Sequence, residues 1–154
     1  MRAANIKNML QRKRFSELDI NEPFFNSLKK DYPDFISWFH KKRNTYCYCV
    51  LRDGKLTDCM YVKLERADFS PYLYPAFDIS SLKIKIGLFK CETKGVSHIF
   101  MNKIFEKAIK NKAKIIYTTF YKNDRLINFL RGYGFRYWGF QNSELVYVFE
   151  NKKS

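Results

Sequence analysis

The stretch LKIKIGLFKCETKGVSH, residues 82–98, changes from the periodicity of a strand to that of a helix. Apolar residues and lysines alternate at its start, which predicts a β-strand. One face of this strand carries Leu82, Ile84, Ile86 and Leu88, and the other carries Lys83 and Lys85. From Val96 the apolar spacing becomes three and four residues, which predicts a helix that ends near Asn111. A short loop containing Gly95 must therefore join the strand to the helix.

The N-terminal side of this stretch predicts helices first and then a hairpin. Aromatic residues recur at three- and four-residue intervals from Pro23 to Lys42, with a break at Tyr32-Pro33, which predicts two short helices with an apolar core face. Residues 45–51 and 56–64 predict two antiparallel strands, because Asp53-Gly54 between them is a strong turn signal. The prolines between Glu65 and Ser80 predict an irregular loop.

The C-terminal side predicts a second strand–helix unit and a final pair of strands. Residues 113–121 predict a buried strand, and residues 124–133 predict a short helix that Gly134 ends. Strands at 136–140 and 144–149 follow, joined by Gln141-Asn142-Ser143. A strand–helix–strand unit after an antiparallel hairpin predicts an α/β fold with a mixed sheet, in a single domain that covers residues 1–154.

Composition supports a globular protein rather than a disordered or membrane-spanning one. Of the 154 residues, 46% are hydrophobic, and they include 15 Phe and 11 Tyr. No apolar run approaches the roughly 20 residues needed to cross a bilayer, and the start of the chain has no apolar signal core. We therefore expect a cytoplasmic protein without membrane contact. The four cysteines form no CxxC pair, so reduced thiols are expected and a metal site is not.

The net charge of +14 raises the question of a polyanionic partner. Residues 1–77 hold 14 basic and 9 acidic side chains, a balance of +5, whereas residues 78–154 hold 15 and 6, a balance of +9. The base composition of the source genome would also give a chain rich in Lys, Asn, Ile, Phe and Tyr. Nucleic acid is therefore an open but not the favoured partner, and the sequence also leaves a homodimer open.

The loop at residues 92–98 is the best candidate for a binding site. A strand that runs through a glycine-containing loop into a helix presents unpaired N–H groups and the positive end of the helix dipole at one point. That arrangement suits a pyrophosphate. Gly95 lets the backbone approach an anion, Ser97 and His98 offer N–H groups, and Lys94 adds positive charge.

The element order, with this loop at its centre, resembles the GNAT acyltransferase superfamily over nearly the whole chain. That family has an Arg/Gln-x-x-Gly-x-Gly/Ala loop, and residues 92–97 align with it as ETKGVS, with Glu92 at the first position and Ser97 at the last. The resemblance implies that the backbone of the preceding strand binds the pantetheine arm of acetyl-CoA and that the loop binds its pyrophosphate. The implied binding residues are Leu88, Phe89, Lys90, Cys91, Lys94, Gly95, Val96, Ser97 and His98.

A second signature of the family is an Asn followed by a helix with a Tyr seven residues later and Gly-Phe after four more. Here those positions hold Asn123, Leu130 and Gly134-Phe135. The resemblance implies that Asn123 contacts the pantetheine arm or its phosphate. Leu130 stands where the family tyrosine protonates the leaving thiolate. Tyr133, about one helical turn away, is the candidate substitute, and its alternative role is core packing.

A base must remove a proton from the attacking amine, and four side chains are candidates. Glu65 is the one we select, with Asp68, His40 and Glu144 as further candidates. Glu65 and Glu144 have a solvated surface role as their alternative, and His40 has a place at a helix end. Together these features predict an acetyltransferase that moves an acetyl group from acetyl-CoA to a primary amine. The alternatives are a non-catalytic CoA-binding domain and an acetyltransferase directed to tRNA or the ribosome.

Overall fold

The strands and helices follow the predicted order in the computed structural model, which describes residues 9–65 and 82–151. The strands are β1 (Leu10–Arg14), β2 (Tyr46–Arg52), β3 (Lys55–Glu65), β4 (Lys83–Cys91), β5 (Ile115–Phe120), β6 (Arg136–Gln141) and β7 (Glu144–Glu150). The helices are α1 (Asn26–Asp31), α2 (Phe35–Lys41), α3 (Val96–Lys110) and α4 (Asp124–Gly132), with 3-10 turns at Phe15–Glu17 and Pro23–Phe25. Most of the predicted loop from Glu65 to Ser80, including Asp68, lies outside the described residues.

The sheet is mixed, as predicted. Its strand order is β1-β2-β3-β4-β5-β7-β6. The pairs β1/β2, β2/β3, β5/β7 and β6/β7 are antiparallel, whereas β4 and β5 are parallel and are connected through α3. This parallel pair is the strand–helix–strand unit that the sequence predicted, and it confirms the predicted fold class. No described helix has both the length and the apolar character needed to cross a membrane.

The chain forms two compact units. One consists of Met1–Tyr61 with Leu88–Met101, and the other consists of Val62–Gly87 with Asn102–Ser154. All three boundaries fall inside continuous elements, since β3, β4 and α3 each contribute residues to both units. The prediction of a single domain therefore stays a prediction.

The core of the first unit is aromatic. The aromatic residues predicted to face the core are buried there: Phe39 packs against Phe15 and Phe25, and Phe25 packs against Phe35. The rings of Phe15 and Phe39 meet edge to face with centroids 5.4 Å apart, a favourable geometry for aromatic pairs. The other buried members are Leu18, Phe24, Cys47, Cys49, Leu56, Cys59, Tyr61 and Leu88. The prediction that the aromatic stripe is core is confirmed.

The core of the second unit includes a cluster on β5 and β7. Its buried members are Ile115, Tyr117, Val146 and Val148, with Trp138 packed against them.

The hairpin formed by β6 and β7 has a shorter turn than the sequence predicted. Gln141 still pairs with Glu144, so only Asn142 and Ser143 form the turn, both with positive φ (50° and 67°). A two-residue turn of this kind matches the twist of the strands it connects.

Strand β4 shows the predicted alternation, and its lysine face is covered at Lys83. Ile84, Ile86 and Leu88 are buried as predicted, but Lys83 on the other face is only 1% exposed. The reason lies in the position of β4 inside the sheet between β3 and β5, because interior strands of α/β sheets are covered on both faces.

Candidate active site

The loop between β4 and α3 has the backbone conformation that its glycine predicted. Gly95 has φ +91°, in a region that residues with a Cβ rarely adopt. The N–H of Val96 donates to the carbonyl of Thr93 at 3.2 Å, and the N–H of Ile99 donates to the carbonyl of Gly95 at 3.4 Å. Helix α3 therefore begins directly after Gly95, and the carbonyls of Thr93 and Gly95 in the loop accept hydrogen bonds from its first turn.

The backbone N–H groups of this loop fall into two sets. Those of Glu92 and Thr93 donate to the carboxylate of Asp58, at 2.9 and 3.0 Å. Within the described part of the chain, the N–H groups of Lys94, Gly95 and Ser97 donate to no protein acceptor. The first turn of α3 contains no acidic residue. The helix start thus offers unpaired donors and the positive end of the dipole, which is the chemistry of an anion site.

Asp58 belongs to the candidate site although sequence periodicity did not indicate it. Its side chain is fully buried, and besides the two backbone N–H groups it accepts hydrogen bonds from the hydroxyls of Thr57 (2.6 Å) and Thr93 (2.7 Å). Glu92 also donates its N–H to the carbonyl of Thr57 at 3.1 Å. The signal in the sequence was an aspartate inside the apolar run of β3, since a buried carboxylate needs hydrogen-bond donors.

A β-bulge explains how Thr57 and Asp58 both reach the loop. Val50 pairs with Asp58 and Leu51 pairs with Leu56, so Thr57 is an extra residue on β3. Consecutive side chains of a regular strand point to opposite faces, but a bulge re-aims them locally. The hydroxyl of Thr57 also lies 3.3 Å from that of Thr93.

Lys90 and Glu92 are close together at the end of β4. The ammonium group of Lys90 lies 3.6 Å from a carboxylate oxygen of Glu92, 2.8 Å from the hydroxyl of Ser27, and in hydrogen-bond contact with the carbonyl of Phe24. The side chain of Lys90 is therefore directed at the 3-10 turn and α1. A ligand at Lys90 would therefore contact its backbone and not its ammonium group.

The other predicted binding residues of β4 anchor the strand. Leu88 is buried in the aromatic core, and the ring of Phe89 packs edge to face against Phe100 with centroids 6.0 Å apart. Burial, and to a lesser degree the carboxylate of Asp58, raises the pKa of the Cys91 thiol above its usual range, so this thiol stays protonated at neutral pH.

The remaining predicted residues of the loop differ in exposure. Val96 is fully buried and anchors the start of α3, Ser97 is half-buried, and Lys94 and His98 are exposed. The charge of Lys94 is therefore available at the surface beside the unpaired N–H groups.

Asn123 caps helix α4. Its side-chain oxygen accepts the N–H of Leu126 at 3.1 Å, and its carbonyl accepts the N–H of Ile127 at 2.9 Å. Asn is among the best residues for this position because it satisfies an otherwise unpaired N–H of the first turn. Since its oxygen is engaged, a ligand at Asn123 would meet the amide NH₂ group.

The end of α4 is closed as the sequence predicted. Gly134 has φ +94°, its N–H donates to the carbonyl of Arg131 at 3.0 Å, and the N–H of Phe135 donates to that of Leu130 at 3.1 Å. This pair of bonds is the Schellman motif. Leu130 is 2% exposed, so the position of the family tyrosine is occupied by a core residue.

Tyr133 caps the C-terminus of α4 and is half-buried among aromatic rings. Its ring centroid lies 5.2 Å from that of Phe129 and 6.0 Å from that of Phe105. Burial raises the pKa of the Tyr133 hydroxyl above its ordinary value, which keeps the hydroxyl protonated. Tyr133 thus packs against its neighbours and also remains a proton donor.

Glu65 is not on the solvated surface. The last residue of β3, it is only 9% exposed, and its carboxylate accepts a hydrogen bond from the hydroxyl of the buried Tyr117 on β5. The structure places this pair in the second unit, whereas residues 88–98 and Asp58 belong to the first. No local sequence pattern indicates this pairing, because the two residues lie 52 positions apart.

The other candidate bases have ordinary positions. His40 is exposed in the last turn of α2, where the dipole favours a basic side chain, as predicted. Glu144 is half-buried at the start of β7. Among residues 9–65 and 82–151, no three His, Cys, Asp or Glu side chains are grouped as ligands for a metal ion.

No family model and no curated protein matches the sequence. Solved structures do match. A GNAT-family acetyltransferase from Listeria monocytogenes aligns with a TM-score of 0.63 and 13% identity over 92% of this chain and 95% of its own. Arabidopsis thaliana NAA60, in complex with a bisubstrate analogue, aligns with a TM-score of 0.59 and 14% identity over 94% and 99%.

A third similar structure is Campylobacter jejuni N-acetyltransferase PseH in complex with acetyl coenzyme A. It aligns with a TM-score of 0.54 and 18% identity, over 93% of this chain and 99% of its own. Together the three alignments confirm the predicted resemblance at the level of the fold: the chain has the GNAT fold.

Proposed function

We propose that this chain of GNAT fold is an N-acetyltransferase that moves an acetyl group from acetyl-CoA to a primary amine. The observation that carries the proposal is that the N–H groups of Lys94, Gly95 and Ser97 at the start of α3 have no acceptor among the described residues. These donors fit a pyrophosphate. They lie in the loop that, by its resemblance to the GNAT superfamily, is expected to bind the pyrophosphate of acetyl-CoA.

Acetyl-CoA supplies a thioester that a neutral amine attacks, with the CoA thiolate as the leaving group. The residues proposed to hold it are the loop from Lys94 to His98 for the pyrophosphate, the backbone of Leu88–Cys91 for the pantetheine arm, and the amide of Asn123 for the arm or its phosphate. The same ligand is present in the solved structure of PseH. We further propose a cytoplasmic location.

The proton that the leaving thiolate needs is proposed to come from Tyr133. Because burial raises its pKa, the hydroxyl is in the protonated state that a general acid requires at neutral pH. The proton that the amine loses is proposed to go to Glu65. The support for this base is a buried carboxylate that Tyr117 orients through a hydrogen bond.

A specific observation favours a second candidate function, a CoA-binding domain without turnover. Leu130, at the position of the family acid, is a buried core residue and offers no proton. This alternative agrees with the same ligand site and differs in the chemical step alone.

The test is release of free CoA thiol from acetyl-CoA in the presence of amines of different classes: polyamines, free lysine, peptide N-termini and aminoacylated tRNA. Thiol release that depends on the amine, with acetylated product found by mass spectrometry, supports the acetyltransferase. Binding of acetyl-CoA without thiol release for any amine supports the non-catalytic domain. Absence of binding contradicts both.

A further inference from the structure

The carboxylate of Asp58 fixes the first half of the candidate pyrophosphate loop. It accepts the N–H groups of Glu92 and Thr93 and the hydroxyl of Thr93, so three donors of two consecutive loop residues converge on one buried side chain. Such charge-assisted bonds are stronger and shorter than neutral ones. The start of the loop is thus tied to β3.

This attachment decides which donors remain for a ligand. Because Asp58 occupies the N–H groups of Glu92 and Thr93, an anion must bind at the following N–H groups, those of Lys94, Gly95 and Ser97. Successive N–H groups of a loop keep a fixed relation to one another once the backbone dihedrals are set. Asp58 therefore orients the unpaired donors without touching the ligand.

The carboxylate of Asp58 is held by hydrogen bonds from Thr57, Glu92 and Thr93. Among the residues that the structure describes, no Lys or Arg forms a salt bridge with Asp58. A buried carboxylate without a cation near an anion site also repels the anion, so its retention there needs a geometric reason. The four hydrogen bonds to Thr57, Glu92 and Thr93 provide that reason.

We infer that Asp58 is a positioning residue: it holds the loop in the conformation that binds a pyrophosphate-bearing ligand and so sets the affinity for acetyl-CoA. The inference rests on the proposed function. It predicts a particular asymmetry between two substitutions. Asparagine keeps the oxygen that accepts the two N–H groups, and its NH₂ group can donate to the threonine hydroxyls. Alanine removes all four bonds.

The experiment compares wild type with Asp58→Ala, Asp58→Asn, Thr93→Val and Val50→Ala by calorimetric titration with acetyl-CoA and with inorganic pyrophosphate. Val50 is buried beside Asp58 on β2, so Val50→Ala is the control for lost stability alone. We expect Asp58→Ala to weaken binding of both probes about tenfold or more and Thr93→Val to weaken it about threefold. Asp58→Asn should bind within about threefold of wild type, or more tightly because a repelling charge is gone.

A second readout follows the loop itself. Amide hydrogen exchange at Thr93 should become at least about tenfold faster in Asp58→Ala than in Val50→Ala, because only the former loses the acceptor of the Thr93 N–H. If Asp58→Ala does not fold, Thr93→Val compared with Val50→Ala decides the same question.

The outcomes separate the inference from the function on which it rests. If wild type does not bind acetyl-CoA, the proposed function is wrong and the inference is wrong with it. If wild type binds but Asp58→Ala and Thr93→Val bind equally well, the inference alone is wrong. Equal weakening by Asp58→Asn and Asp58→Ala would also overturn it, because asparagine keeps an acceptor oxygen for the two N–H groups and these hydrogen bonds would then not control binding.

Discussion

The ammonium group of Lys90 lies 3.6 Å from a carboxylate oxygen of Glu92, so the acidic residue at the first position of the loop has a cation beside it. The family has Arg or Gln at this position, and a carboxylate there would repel a pyrophosphate. Lys90 is held in place by the carbonyl of Phe24 and the hydroxyl of Ser27. The pair therefore offsets part of the charge that distinguishes this loop from the family pattern.

The first prediction concerns this pair. Lys90→Met should weaken binding of acetyl-CoA by about two- to fivefold at low salt, because Glu92 then acts on the ligand without a partner. Calorimetric titration at low and high ionic strength measures the effect, which should shrink as salt screens it. In the double variant Lys90→Met/Glu92→Gln the affinity should return to the wild-type value. A loss that persists in the double variant would show that Lys90 acts through something other than Glu92.

The second prediction concerns the loop glycine. Gly95 has φ +91°, so Gly95→Ala should lower the free energy of unfolding by about 1–2 kcal/mol and should weaken acetyl-CoA binding at least about tenfold. Chemical denaturation and calorimetry measure the two quantities. The matched control is Gly132→Ala in helix α4, where a Cβ has open space.

The control has its own expected result. Alanine is a better helix former than glycine, so Gly132→Ala should raise the free energy of unfolding by about 0.5–1 kcal/mol and leave ligand affinity unchanged. If Gly95→Ala behaved like Gly132→Ala, the conformation assigned to the loop would be incorrect.

The third prediction concerns the general acid. Tyr133→Phe removes the hydroxyl but keeps the ring that packs against Phe105 and Phe129, so the fold should persist while kcat falls by about 10²-fold or more. The affinity for acetyl-CoA should change little. Steady-state kinetics separates kcat from KM, and an unchanged kcat would exclude Tyr133 as the acid.

If Tyr133 is the general acid, its pKa also determines the pH at which the rate falls. Burial raises the pKa of Tyr133 above its ordinary value of about 10, and the acid works only when protonated. The rate should therefore not fall on the alkaline side until the pH exceeds about 10. A loss of activity between neutral pH and pH ~9 that disappears in Tyr133→Phe would contradict this assignment.

The fourth prediction concerns Glu65 and Tyr117. Tyr117→Phe leaves a buried carboxylate without its donor, so the free energy of unfolding should fall by about 1–3 kcal/mol. Glu65→Gln keeps an oxygen that accepts the hydrogen bond and should cost less stability. If Glu65 is the base, Glu65→Gln must nevertheless lower kcat by about 10²-fold or more. Full activity in Glu65→Gln would assign the carboxylate to structure alone.

Much of the fold was predictable because its signals are local. The alternation in β4, the loop at Gly95 and the stop at Gly134 each depend on a few neighbouring residues, and all three agree with the structure. Turn and cap residues act through the backbone dihedrals of their own position, so no knowledge of the rest of the chain is needed.

The polar interior was not predictable for the opposite reason. Asp58 meets Thr93, 35 positions away, through a bulge, and Glu65 meets Tyr117, 52 positions away, between two strands. Sequence periodicity assigned Lys83 to the face opposite the apolar one, but it could not show that this face is covered. Pairings of this kind depend on strand register and on what lies above the sheet, which a single sequence does not specify.

Thermal unfolding of the purified protein with increasing acetyl-CoA tests directly whether the chain binds this ligand. A ligand at a hundredfold excess over its dissociation constant stabilises the folded state by about 2.7 kcal/mol, which corresponds to a rise of roughly 5–10 °C in Tm for a chain of this size. We predict a saturable rise of this order with acetyl-CoA, and a smaller one in Gly95→Ala. No shift in the wild-type Tm at millimolar acetyl-CoA would contradict the proposed acetyl-CoA site.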